Sequence, residues 1–296
     1  MNQRNIARLC ASVLAALTLC GCGSRAPQAQ IAATTLPVYD FTARLCDGTG
    51  LSVTRLVTEQ VSCLHDYSLS VRQVQAAEAA QVVVISGAGL EDFLEDILDS
   101  GKTIDASAGI ELLSPAEPHS HDEHSHHDHH HDEDPHIWLS PANAKAMAET
   151  IFAGLSEAYP AHAAVFRANL APLLAELDAL QAYGEEALAQ LGCRELITFH
   201  DGFSYLAQAF DLTILEAVEE ESGSEASAQD LKHLIEEVEH HSLPAIFTEV
   251  SGSDSAATVI ARETGAATYA LDMAMAGDSY FDAMYHNIDT LKEALG

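Results

Sequence analysis

The chain has 296 residues, 48% apolar and 20% charged, the composition of a soluble globular protein with room for about two domains. Forty-five Asp and Glu against thirteen Lys and Arg give a net charge of −32. That field repels phosphate backbones, which excludes nucleic acid as a partner, and it attracts cations. Six Cys are too few for a disulfide scaffold, and the sixteen His are unevenly placed.

Arg4 and Arg8 precede an apolar run, Leu9 to Leu19, and then comes Leu19-Cys20-Gly21-Cys22. A basic start, a short hydrophobic stretch and small residues before a cut describe a secretory signal over residues 1–21. The run is too short to cross ~30 Å of hydrocarbon as a permanent helix. The tetrapeptide is similar to a bacterial lipobox, which makes Cys22 the lipidated N-terminus, held to membrane lipid on the extracytoplasmic face. Residues 22–30 then form a tether.

Strand-like and helix-like runs alternate from there. Ile31–Thr34 reads as a strand, Pro37–Cys46 as a helix, Leu51–Val57 as a strand and Val71–Ala80 as a helix. Gln81–Ile85 is a buried strand, Leu90–Leu98 a helix with one apolar face, and Lys102–Asp105 a fourth strand. Pro160–Leu191 reads as a linking helix, about 48 Å if continuous, with Pro172 expected to kink or break it. Strands follow at Leu196–Phe199, Thr213–Val218, Ala245–Val250 and Ala267–Leu271. Helices over 202–210, 227–241, 254–264 and 280–295 separate and close them, the second opened by a capping box of Ser227 and Asp230. The order predicts an α/β fold of two parallel-sheet lobes with helices on both faces, over 31–159 and 192–296, joined by a long helix over 160–191.

Residues 119–136 hold nine His among eighteen, with Asp and Glu filling most gaps and no large apolar side chain. Such a stretch cannot pack in a core and reads as a mobile, metal-collecting loop over 119–133. Its secondary ligands are His119, His121, His124, His126, His127, His129, His130 and His131. In open α/β sheets, ligands bind beyond the carboxyl ends of strands. His65, His136, His200 and Asp272 all follow strand ends or close the loop, and three His with one carboxylate can complete a tetrahedral zinc shell. Glu249, at the end of its own strand, is a candidate alternative ligand or an orienting group behind one.

The segments His65-Asp-Tyr, Val82 to Glu91 (VVVISGAGLE), Asp134 to Pro141 (DPHIWLSP), Phe199 to Tyr205 (FHDGFSY) and Asn287-Ile-Asp-Thr-Leu-Lys carry a family resemblance. The chain resembles the metal-binding lipoproteins of bacterial ABC importers, the ZnuA/TroA-like cluster of solute-binding proteins. The resemblance implies His65, His136, His200 and Asp272 as ligands of metal held in the cleft between two lobes. It also implies an ABC permease as membrane partner, and a monomer is expected. After Asp272 the family often continues Pro-Leu-Gly, whereas here Met273-Ala-Met-Ala-Gly277 follows. Manganese members of the family tend to carry a carboxylate where His200 stands, so His200 and the His-rich loop point to Zn2+ over Mn2+. A manganese-binding homologue, a surface adhesin and a plain zinc buffer are the alternatives. No His-Glu-x-x-His or Gly-x-Ser-x-Gly element points to an enzyme. Cys46 and Cys63 fall in one lobe and are a candidate disulfide, with Cys193 left free at the mouth of the second lobe.

Overall fold

The computed structural model describes residues 30–59, 64, 67–114, 133–218 and 227–296. The signal, Cys22, Cys63, His65 and the eight secondary His of the loop lie outside the described residues. The N-terminal part contains β1 (Ile31–Ala33), α1 (Leu36–Cys46), β2 (Val53–Arg55), α2 (Val71–Ala79), β3 (Val82–Ile85) and β4 (Thr103–Asp105). A helix pair, α3 (Pro141–Ala158) and α4 (Ala163–Ala187), follows. Then come β5 (Glu195–Thr198), α5 (Ser204–Ala209), β6 (Thr213–Ala217), α6 (Ala228–His241), β7 (Ala245–Glu249), α7 (Ser255–Thr264), β8 (Ala267–Leu271) and α8 (Tyr280–Leu295).

Each half builds one four-stranded, wholly parallel sheet, ordered β2-β1-β3-β4 and β6-β5-β7-β8. The two lobes therefore share one topology despite having no visible residue repeat. Strand sequence explains strand position. β1, β3 and β7 are buried at every residue, as a parallel strand covered on both faces requires, while the edge strands β2, β4, β6 and β8 are partly exposed. Helix starts follow local chemistry too. Ser70 and Gln73 form a capping box on α2, and Ser227 with Asp230 forms the expected one on α6. The α8 stripe of Phe281, Met284, Ile288, Leu291 and Leu295 is buried as its spacing predicts.

Three expectations are corrected. The run 90–98 forms a 3-10 helix, Asp92–Ile97, in place of an α-helix of about two and a half turns. The cause lies just upstream, where Gly87, Ala88 and Gly89 all adopt positive φ and turn the Glu91 carboxylate into the lobe. Its Oε1 accepts from Thr34 Oγ1 at 2.6 Å and Ser86 N at 2.8 Å, and its Oε2 from Gly87 N at 2.9 Å. Next, the linking helix runs unbroken through Pro172, from Ala163 to Ala187, after a 3-10 turn at Pro160–His162. Pro172 lies on the exposed side, while Phe166, Leu173, Leu177 and Leu180 anchor the other side in the core. Finally, Cys46 is a free thiol, buried on the inner side of α1, where loss of solvent pushes its pKa up to about 12. Cys193 precedes β5 and so sits at the end of the sheet away from the strands' carboxyl ends.

Burial raises the Glu91 pKa from 4.5 to about 7, outweighing the three hydrogen bonds that favour its anion. The folded state then holds a proton that the unfolded state releases between those two values. Stability from this group is present below about pH 4.5 and is lost as pH rises to 7, by about 3 kcal/mol. Urea midpoints measured from pH 4.5 to 7.5 should show that decline in wild type and a flatter profile in Glu91→Gln. Parallel profiles would show that Glu91 does not titrate in the window.

One apolar core runs from β1 and α1 through α3 and α4 into β5, β7 and α8, so packing joins the lobes as well as the connecting helix. Among the described residues no helix is long and apolar enough to cross a membrane.

Candidate metal centre

In a parallel sheet all strands end on the same side, so the loops after β5, β7 and β8 cluster at one end of the C-terminal lobe. His200 and Asp272 lie in those loops, and Glu249 is the last residue of β7 beside them. The segment 133–140 crosses to them and brings His136.

The local sequence explains how His136 is held. Asp134 N donates to Leu113 O at 2.8 Å, and Asp134 O accepts from Tyr205 OH at 2.9 Å, so the residue is pinned from both sides. Its Oδ1 accepts the His136 backbone N–H at 2.9 Å and lies 2.8 Å from His136 Nδ1. A carboxylate there accepts a hydrogen bond from Nδ1–H, which fixes the tautomer and leaves the lone pair on Nε2. That Nε2 is buried and has no hydrogen-bond partner among the described residues. Ile137, Trp138 and Leu139 follow as a fully buried 3-10 turn. Ser140 then caps α3 by accepting from Asn143 N, and Pro141 takes the first turn. Asp-Pro-His-Ile-Trp-Leu-Ser-Pro thus reads, in order, as an orienting acid, a donor nitrogen, an anchor and a helix start.

The His200 ring lies 5.3 Å from that of His136, centroid to centroid, at 83°. Glu249 Oε2 stands 3.9 Å from His200 Nδ1, and Glu249 is only 6% exposed. Gly202 is what lets the two rings approach. A Cβ there would sit 2.6 Å from Met273 Cε, 2.8 Å from His200 Cδ2 and 3.0 Å from His136 Nδ1. Asp272 directly follows β8, its backbone clamped by Asn287, whose Oδ1 accepts from Asp272 N and whose Nδ2 donates to Asp272 O, both at 2.7 Å. Its Oδ1 accepts from Ala274 N at 2.8 Å, closing the turn that Met273-Ala-Met makes.

The geometry therefore joins His136 with His200 and sets Glu249 beside the second. Among the described residues no three ligand atoms that include these groups lie within 4.8 Å of one another, and His65 is not among those residues. Sequence reasoning overlooked Asp134 as the orienting acid, because it ends a run of loop acids and looked like one more of them. Gly202 and Asn287 were legible only as motif letters. Asp134→Asn should weaken zinc binding roughly 10- to 100-fold, the usual effect of losing a carboxylate behind a ligating imidazole. Chelator competition measures it, with circular dichroism confirming the fold. Unchanged affinity would remove Asp134 from the site.

Two parallel α/β lobes with imidazole and carboxylate groups gathered between them define the class of metal-capturing solute-binding proteins. The family model described as "ZnuA: Zinc-uptake complex component A periplasmic" matches residues 31–294, and the chain belongs to this family. A putative metal-binding protein of Treponema pallidum (strain Nichols) is 30% identical over 240 residues, covering 78% of this chain and 76% of its own length. The zinc-binding lipoprotein AdcA of Streptococcus pneumoniae serotype 4 is 30% identical over 308 residues. The match takes in 98% of this chain and 61% of AdcA, so this chain spans about three-fifths of that relative. The crystal structure of ZnuA superposes with a TM-score of 0.76 at 30% identity, covering 90% of this chain and all of that one.

Proposed function

We propose that this protein captures Zn2+ outside the cytoplasm as cargo and hands it to an ABC permease for import. His65, His136 and His200 would hold the ion, with Asp272 as the fourth ligand and Glu249 as orienting group or alternative. The observation that carries the reading is the buried His136 Nε2, oriented by Asp134 through Nδ1 and facing a second imidazole. The zinc-uptake family and the zinc-binding streptococcal relative support the same metal. An imidazole-rich set also favours zinc over manganese, which prefers oxygen donors. Lipid attachment at Cys22 would hold the protein at the membrane surface beside its permease. The His-rich segment would collect several ions weakly near the cleft, because ordering so polar a stretch costs ~1–2 kcal/mol per residue with no apolar burial to offset it.

Zinc and manganese competition on wild type and His200→Glu tests the metal. The substitution trades an imidazole for a harder oxygen donor and should shift the zinc-to-manganese preference toward manganese by tenfold or more. An unchanged ratio would take His200 out of the shell. Loss of growth under zinc chelation in a strain lacking the gene, restored by zinc or by the gene, tests the uptake role. Normal growth would refute it.

A further inference from the structure

A second cluster of donor groups lies far from the cleft. At the last turn of α6, Glu237, His240 and His241 bring one carboxylate oxygen and two ring nitrogens within 4.8 Å of one another. Their spacing, i, i+3 and i+4, puts all three on one helix face. Glu237 Oε2 is 3.6 Å from His241 Nε2, and the two imidazole rings stand 4.8 Å apart at 88°. His241 is oriented from behind, because its Nδ1 lies 2.9 Å from Glu195 Oε2 on β5. This is the carboxylate–imidazole pairing that readies the opposite nitrogen for a metal. The helix adds to it, since its carbonyl end carries the negative pole of the macrodipole and favours a cation. His233, earlier on the same helix, shows the contrast, with Glu216 at 3.2 Å but no place in such a group.

Glu195 opens β5 and His200 follows its end, so about 16 Å of strand separates this cluster from the cleft. We propose that Glu237, His240 and His241 form an accessory site for Zn2+ or a similar borderline divalent ion. Glu195 acts there as a positioning residue for His241. Two imidazoles and one carboxylate match zinc, nickel and copper, and three protein donors on a partly exposed helix end leave a coordination position for water. The protein's charge of −32 supplies the long-range attraction. Such a site is independent of the cargo site and can be filled while that site is occupied.

Ni2+, a paramagnetic ion with the same ligand taste, is the probe, added to full-length chain already loaded with one equivalent of Zn2+. Amide signals of residues 194–196 and 236–243 should broaden at substoichiometric to stoichiometric Ni2+ and recover on addition of excess Zn2+. The double variant His240→Ala/His241→Ala should abolish that broadening while signals elsewhere stay in place. Glu237→Gln, a surface change with little consequence for folding, should weaken it about tenfold. Glu195→Gln should raise the Ni2+ needed by about tenfold and still reach full broadening, an effect that loss of fold would not mimic. Absence of broadening at α6 at concentrations that broaden the His-rich segment would overturn the proposal. So would its persistence in the double variant. Because the cleft is filled beforehand, either failure leaves the cargo site untouched.

Discussion

Replacing His200 with alanine should lower zinc affinity at the cleft by about a hundredfold or more, and His136→Ala should do the same. Structural zinc sites bind with about 10–16 kcal/mol in total, so one ligand of four carries about 3 kcal/mol, a factor near one hundred. The two variants should differ in their second effect. His136 is 2% exposed and its ring nitrogen holds one side of a buried carboxylate, so its removal strips Asp134 Oδ1 of one of two contacts. That variant should lose stability even without metal, by about 1–3 kcal/mol for a buried polar group left short of a bond. The His200 side chain is 14% exposed, and its truncation should be milder on the apo fold. Chelator-competition titration gives the first quantity and urea unfolding of metal-free protein the second. Wild-type zinc affinity in both variants would dismiss the ligand assignment outright.

Much of this was legible because the strongest signals are local. Buried strands such as Val82–Ile85 and Ala245–Glu249 announce themselves as continuous apolar runs, and the capping box at Ser227 names a helix start in two letters. His136 and His200 stood out because each directly adjoins an element end. What was missed depends on contacts between distant residues. Pro172 reads as a helix breaker, yet leucines on the opposite side hold the helix in the core and leave the ring toward solvent. The 90–98 run has helical spacing, but Glu91 is drawn inward by donors just past the ends of β1 and β3, and a 3-10 turn results. Glu237, His240 and His241 look like an ordinary solvated helix end until β5 delivers Glu195 beside them. Asp134 is similar, since its role is visible only once its Oδ1 is seen on the histidine two residues on.

Trp138→Ala should produce the largest loss of stability, about 3–5 kcal/mol for a buried aromatic, with more from the one broken indole hydrogen bond. Trp138 is fully buried where the lobes meet, two residues after His136 and next to its ring at 5.5 Å. Its Nε1 donates to Met273 O at 2.7 Å, one residue past Asp272, and its own carbonyl accepts from Tyr280 OH at 2.8 Å. The indole therefore ties the segment carrying His136 to the turn carrying Asp272, and α8 locks it from behind. Truncation to alanine leaves a large cavity and an unpaired Met273 carbonyl. Trp138→Phe separates the two effects, because it keeps most of the volume and loses the donor, at about 1–3 kcal/mol. If the indole only fills space, the Phe variant should match wild type in urea midpoint and in zinc affinity. If it also aligns the two lobes, zinc affinity in Trp138→Phe should fall several-fold even where the protein remains fully folded, because the groups on either side of the seam would no longer be held in register. Equal affinity in wild type and Trp138→Phe would reduce Trp138 to a packing residue.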